Sequence, residues 1–230
     1  MSLSYFATFS PLNLENSNPE FLFDFFKKGQ FKIDMVRPTK ATSWGTWDLD
    51  GSDEVRRHSS MESAWEDFVA VDSSGSTGCD LWLGTPEIES CRRGSSSLGI
   101  FPADNQLHAV FSIESRPNIN GLADRLRLTG SSYLEFLVAI SIGLGARSFA
   151  ADADEETLEE LRKGQINPEN VDCLVAVFGV PASVLSELVE NWTPATMGPK
   201  VSRMNLFDTE VGQVACSPEF AKVPRNGIVG

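Results

Sequence analysis

A chain of 230 residues with 41% hydrophobic and 22% charged side chains has room for one large domain or two modest ones, and its 15 Phe and five Trp exclude wholesale disorder. A net charge of −13 argues against general affinity for nucleic acid, because counterion release needs clustered Lys and Arg. The longest apolar run, Phe136 to Leu144, is half of the ~18–20 residues a bilayer-spanning helix needs, and Met1 to Phe6 lacks the basic stretch and apolar core of a leader, so a cytoplasmic protein without a membrane partner is expected.

The alternation from Tyr5 to Phe9, stopped by Pro11, predicts a strand. Asn18-Pro19-Glu20 supplies an N-cap, a proline at the first helical position and an early acid, and Lys27-Lys28-Gly29 closes that helix. A second strand is expected over 31–36, and a short amphipathic helix over 60–69, where Ser59 and Glu62 have capping-box spacing. The Ser- and Gly-rich stretch from Asp72 to Gly99 reads as hairpins or long loops around the apolar island Leu81-Trp82-Leu83. Leu107 to Glu114 is the clearest strand, ended by Pro117.

Downstream the pattern reads as helical. Ser131-Ser132 caps an all-apolar helix through Tyr133, Phe136, Leu137 and Ile140, which must be buried. A short helix is expected over 147–151, one beginning near Asp152 and ending at Arg162-Lys163-Gly164, another from Asn167 to Phe178, and a last one carrying Val184, Leu185, Leu188 and Trp192. The fold class is therefore α+β: an N-terminal mixed antiparallel sheet with short helices, followed by a C-terminal helical module. The expected divisions are an α+β domain over 1–120, a helical module over 121–200 and an irregular tail over 201–230.

Motifs that carry chemistry are scarce. Asp48 to Glu54 begins like a calcium loop, but Gly51 is at the fourth position, not the sixth, and Ser59 stands where the twelfth position needs Glu, so a solvated turn is the better reading. Gly143-Leu144-Gly145 follows a helix rather than a strand and reads as a helix terminator. Gly94 to Gly99 does not fit a nucleophile elbow. Cys79, Cys91, Cys173 and Cys216 form no closely spaced ligand pair, so no metal site and no cofactor is expected, and buried free thiols are favoured over a disulfide. His108 reads as a half-buried structural residue and His58 as an exposed one. Trp44 and Trp47, near Arg37 and Lys40, are strand-core residues or, if exposed, a partner-binding hot spot.

Leu158-x-x-Leu161-Arg162-Lys163-Gly164, Pro168, Leu174-x-x-x-Phe178-Gly179-Val180-Pro181 and Leu185-x-x-Leu188 resemble the lambda-repressor-like (Xre-type) helix-turn-helix module over 131–192. In that family a helix enters the major groove, but the matching stretch carries Asp154, Glu155, Glu156, Glu159 and Glu160, which repel phosphate. The family's DNA contacts are not carried over, and the same surface is expected to bind protein.

Residues 146–192 hold 10 acids against three bases, the most lopsided stretch of the chain. In acidity, size and missing catalytic motifs the chain is similar to bacterial immunity proteins and small phage-encoded inhibitors. That likeness implies a non-enzymatic inhibitor or regulator of a basic protein, a toxin or a nucleic-acid enzyme, with Asp154, Glu155, Glu156, Glu159, Glu160, Trp44 and Trp47 as its partner-binding residues; a homodimer is left open. Two alternatives stand beside it: a helix-turn-helix transcription regulator, and a hydrolase with a carboxylate site, which a deep polar pocket holding His108 among convergent acids would favour.

Overall fold

The strand predicted over 107–114 pairs through residues 109–114 with the first strand of the chain, and this pairing organises the molecule. The computed structural model describes residues 4–40, 55–84, 96–114, 116–167, 171, 173–191 and 203–225. Among them the first half contributes strands β1 (Ser4–Phe9), β2 (Met35–Lys40), β3 (Arg56–Arg57), β4 (Thr77–Leu83), β5 (Ser96–Ala103) and β6 (Gln106–Glu114), with helices α1 (Pro19–Lys28) and α2 (Met61–Val69). The second half contributes α3 (Arg116–Thr129), α4 (Tyr133–Leu144), β7 (Phe149–Ala151), α5 (Glu155–Arg162), β8 (Ala176–Phe178), α6 (Ala182–Asn191), β9 (Asn205–Thr209) and β10 (Gly212–Cys216). All ten strands join one antiparallel sheet in the order β3-β2-β4-β5-β6-β1-β7-β8-β10-β9.

Alternation assigns the two faces. Tyr5, Ala7 and Phe9 of β1 and Ala109, Phe111 and Ile113 of β6 enter a large core. Leu22 and Phe26 of α1 and the buried side chains of α4 complete that core. The apolar composition of α4 leaves it no solvent face, so its ends are closed within the chain. Ser132 and Glu135 form a reciprocal capping box at its start, and Gly145, at φ 60°, ends it. A Cβ at Gly145 would collide with the Asn13 carbonyl oxygen, which explains glycine there in both conformation and space. The Gly143-Leu144-Gly145 motif is thus the helix terminator its context implied.

A second, smaller core lies on the opposite face, where Leu158 and Leu161 of α5 and Val184, Leu185 and Leu188 of α6 pack on Ala150, Val177 and Ala215. The helical cover therefore changes faces near the β1–β7 boundary. On that second face, where α5 reaches its limit, Phe6, Thr8, Ser10, His108 and Val110 line a cavity.

Several expectations need correction. Residues 149–151 and 176–178 are strands, not helices. Both are buried on two faces: Phe149 and Ala151 enter the large core while Ala150 enters the small one, and Ala176 and Val177 divide the same way. A strand covered on both sides shows an unbroken apolar run, and periodicity alone does not separate it from a helix. The sheet thus extends through the region read as a helical module and into the tail, where β9 and β10 form a hairpin around Glu210-Val211. The second strand covers Met35–Lys40 rather than 31–36, with buried Phe31 and Ile33 leading into it.

Candidate functional site

Two loops and one short helix converge on the cavity, whose volume is about 1100 Å³. At its floor, the backbone N–H of Ser10 donates to the Ser148 carbonyl at 2.9 Å, and the Ser148 hydroxyl donates back to the Ser10 carbonyl. This exchange holds Ser10 just beyond the end of β1, with its Oγ 2.7 Å from Nδ1 of His108. His108 is 5% exposed, its ring stacks on Phe101 at 5.6 Å, and its Nε2 lies 3.1 Å from the Ala103 carbonyl oxygen. The two-residue turn Asp104-Asn105, both at positive φ, joins β5 to β6 and places Asp104 at the cavity.

The opposite wall is α5. Asp154 caps it, accepting from the Thr157 N–H at 2.8 Å, and Glu155 and Glu156 complement the positive end of the helix dipole. Leu158 and Leu161 anchor the helix on the small core. Glu155, Glu159 and Arg162, spaced at i, i+4 and i+7, therefore share the cavity side. Glu155 Oε1 is 2.6 Å from His108 Nδ1. Glu159 pairs with Arg162 at 2.9 Å and with Lys163 at 3.3 Å, and Arg162 donates to Ser10 Oγ at 3.4 Å.

The structure gathers Asp154, Glu155, Glu156 and Glu159 at one cavity, while Glu160 is half-buried on the same helix outside its lining. Asp154 and Glu156 are exposed. Glu159 is committed to internal ion pairs and Glu155 lies against the His108 ring, so the helix is not the uniformly free acidic face its composition implied. The lining still holds five carboxylates, Asp104 included, against the three permanent cations Arg147, Arg162 and Lys163. Trp44 and Trp47, the calcium-like stretch from Asp48 to Glu54, and Cys91 lie outside the described residues. Cys79 and Cys216 are buried thiols, whereas Cys173, expected to be buried with them, is exposed. His58, expected to be exposed, is instead half-buried and sits 3.1 Å from Asp67.

No family model matches the chain, and no curated protein matches it. One similar solved structure is that of the toxic C-terminal tip of CdiA from Pseudomonas aeruginosa in complex with its immune protein. The match has 10% identity and a TM-score of 0.33, and covers 66% of this chain and 86% of the other. A likeness at that level sets neither fold nor function.

Sequence reasoning missed Ser10, Arg147 and Arg162 as members of the site. Ser10 and His108 are 98 positions apart and meet only through the β1–β6 pairing. Two further carboxylates are perturbed elsewhere. Burial pushes the Asp152 carboxyl up to about 7, against the hydrogen bond it accepts from the Phe6 N–H. Burial likewise raises Asp80 to about 6, opposed by Arg37 at 3.7 Å, whose guanidinium also lies over the Trp82 ring. Among the described residues no helix is long and apolar enough to cross a membrane.

Proposed function

We propose that this chain is a non-enzymatic acidic inhibitor or regulator that binds a basic protein, in the manner of an immunity protein or a small phage inhibitor, through the α5 wall and the cavity beside it. The observation that supports this reading is the convergence of Asp104, Asp154, Glu155, Glu156 and Glu159 around one opening. Acids on both sides of a concave site with low-dielectric walls focus negative potential into it, which favours a cationic side chain and speeds encounter with a basic surface. Half-buried Phe6, Phe101 and Val110 add apolar contact area within the same cavity. The internal pairs of Glu159 and the contact of Glu155 with the His108 ring hold these carboxylates in place before a partner arrives, which lowers the ordering cost of binding.

Affinity capture from the native cell identifies the partner, which is expected to be basic. With that partner in hand, reversing Glu155, Glu156, Glu159 and Glu160 to Lys should slow association by roughly ten- to a thousandfold at low salt and flatten its salt dependence. Glu156→Lys alone, at an exposed position, should produce a smaller loss in the same direction without disturbing an internal pair. An association rate unchanged in both variants removes this surface from the mechanism.

One observation favours a second reading. Ser10 Oγ and His108 Nδ1 lie at the separation of a nucleophile and its base, with the ring oriented by the Ala103 carbonyl and acids nearby, as a hydrolase would need. Against it, Ser10 is 0% exposed and its hydroxyl is engaged by both His108 and Arg162. A serine-reactive fluorophosphonate should therefore leave the chain unlabelled; stoichiometric labelling at Ser10, lost in Ser10→Ala, would establish the catalytic reading instead.

A further inference from the structure

The sheet ends differently at its two margins. β3 is only two residues long, and both are exposed arginines, a short charged edge of the kind that discourages further pairing. β9, at the other margin, runs over the five residues Asn205–Thr209 without proline or lysine. Among the described residues no strand pairs with its outer side, and Leu206 is 41% exposed there.

The hairpin register fixes what this edge offers. Glu210 and Val211 form a two-residue turn, closed by the pairing of Thr209 with Gly212. A pair closing so short a turn exchanges both backbone hydrogen bonds, and the pattern alternates along an antiparallel ladder. Asn205, Phe207 and Thr209 therefore turn their N–H and C=O groups to β10, while Leu206 and Asp208 turn theirs outward. The exposed Asp208 carboxylate accepts from the Gln213 amide at 3.3 Å on its own hairpin, so the edge is ordered before anything pairs with it.

We propose that β9 is a homodimerisation edge: a second copy of this chain lays its own β9 antiparallel to the first, about a two-fold axis at Phe207, and the two sheets become one. In that register Leu206 faces the second copy's Asp208, Asp208 faces the second copy's Leu206, and each pair exchanges both outward-facing backbone hydrogen bonds. Phe207 faces the second copy's Phe207 in the pair between them, which is not hydrogen-bonded and brings its side chains closest. That ring already packs on the margin of the large core, so the apolar faces of the two copies join there.

Charge favours a second copy as the occupant. The chain carries −13, yet residues 203–225 hold three cations (Arg203, Lys222 and Arg225) against three acids (Asp208, Glu210 and Glu219). Two copies therefore meet at a locally neutral surface and keep their acidic faces apart. Arg203 and Glu210, both exposed, flank β9 at opposite ends. The antiparallel register brings Arg203 within one position of the second copy's Glu210 at each end, whereas a parallel approach would set arginine on arginine and glutamate on glutamate. The cavity on β1 and β6 begins four strands away, about 19 Å across the sheet, so the dimer leaves it open and does not rest on the partner reading above.

An edge this short buries less than the roughly 1,200 Å² of a standard stable interface, so the dimer is weak and concentration-dependent. Sedimentation velocity of the whole chain, from about 10 µM to about 1 mM, tests it. The wild type should move from the mass of one chain towards that of two. Leu206→Glu sets a carboxylate against the second copy's Asp208 on both sides of the axis and should raise the dissociation constant about tenfold or more. Leu206→Lys sets an ammonium there and should leave association equal or tighter, and adding Asp208→Lys to Leu206→Glu should restore it. Asp208→Pro deletes an outward N–H while sparing the ladder to β10, and should abolish association with the circular dichroism spectrum unchanged. A single-chain mass at every concentration overturns the dimer. Association that is indifferent to Asp208→Pro, or weakened equally by Leu206→Glu and Leu206→Lys, overturns the β9 register.

Discussion

Replacing Asp152 by Asn should raise stability at pH 8 by about 2–4 kcal/mol and change it by no more than a few tenths near pH 4. Burial moves this carboxyl from 3.8 to about 7, so the folded state binds the proton more tightly than the unfolded chain does. The sign follows directly. Below the unfolded value both states are protonated and the site carries no penalty; between about 4 and 7 the unfolded chain ionises while the folded one resists; above 7 the folded state bears the full cost of a charged, enclosed carboxylate. The wild type therefore loses stability from this site as pH rises. Asn removes the charge, keeps an oxygen to accept the 3.3 Å hydrogen bond from the Phe6 N–H, and tolerates the φ of 60° at this position. Burial raises the Tyr5 and Tyr133 hydroxyls, and the negative charge of Asp152 adds to that, a part which its removal relieves. Asp80, raised to about 6, contributes pH dependence of the same sign. It is present in both proteins, so the difference between them isolates Asp152. Urea denaturation at pH 4, 6 and 8 measures the effect, and curves that run parallel across that range would show that the enclosed carboxylate is not penalised.

The parts of the fold legible in the sequence are those whose signal is local. Asn18-Pro19 and Lys27-Lys28-Gly29 bracket α1, Ser132 and Glu135 box α4, and Gly145 ends it, each through contacts within a few residues, whereas α2 is capped by Ser60, one residue beyond the Ser59 that the capping-box spacing pointed to. Leu107 to Ile113 alternates because one side of β6 meets the large core and the other meets the polar cavity. Where both sides meet apolar neighbours, as at Phe149–Ala151 and Ala176–Phe178, alternation disappears and the run imitates a helix. The site divides the same way. The acidic start of α5 is readable because Asp154, Glu155 and Glu156 are consecutive. Its counterpart is not: His108 and Ser10 come to α5 only after β1 pairs with both β6 and β7, and nothing adjacent to Ser10 in the chain announces that. Charge counting also overstated the free acidity of the helix, since Arg162 and Lys163, at the end expected for it, fold back on Glu159.

The opposite change in stability is expected from Phe136→Ala, at about 3–5 kcal/mol of loss. Phe136 is 0% exposed and its ring centroid lies 5.0 Å from that of Phe111, 5.7 Å from Phe25, 6.2 Å from Phe31 and 6.3 Å from Tyr133. It thus joins α1, the approach to β2, β6 and α4 in one aromatic cluster. Truncation removes the transfer free energy of a whole ring and opens a cavity that four other rings, each fixed on a different element, cannot close together. At roughly 2–4 °C per kcal/mol for a chain of this size, the melting temperature should fall by about 6–20 °C. Leu128→Ala is the matched control, because Leu128 is 61% exposed and its loss should stay within about 0.5 kcal/mol. The position of Phe136 also separates folding from function. It meets β6 through Phe111, on the face opposite His108 and Val110, so the fraction that remains folded should keep the Ser10–His108–Glu155 arrangement. Thermal melts followed by circular dichroism test the stability claim, and the His108 ring signals below the melt test the separation. A loss under about 1 kcal/mol would mean that the neighbouring rings collapse into the space. Displaced His108 signals in the folded fraction would mean that the two faces of β6 are coupled, so that variants of the cavity could not be interpreted apart from the core beneath it.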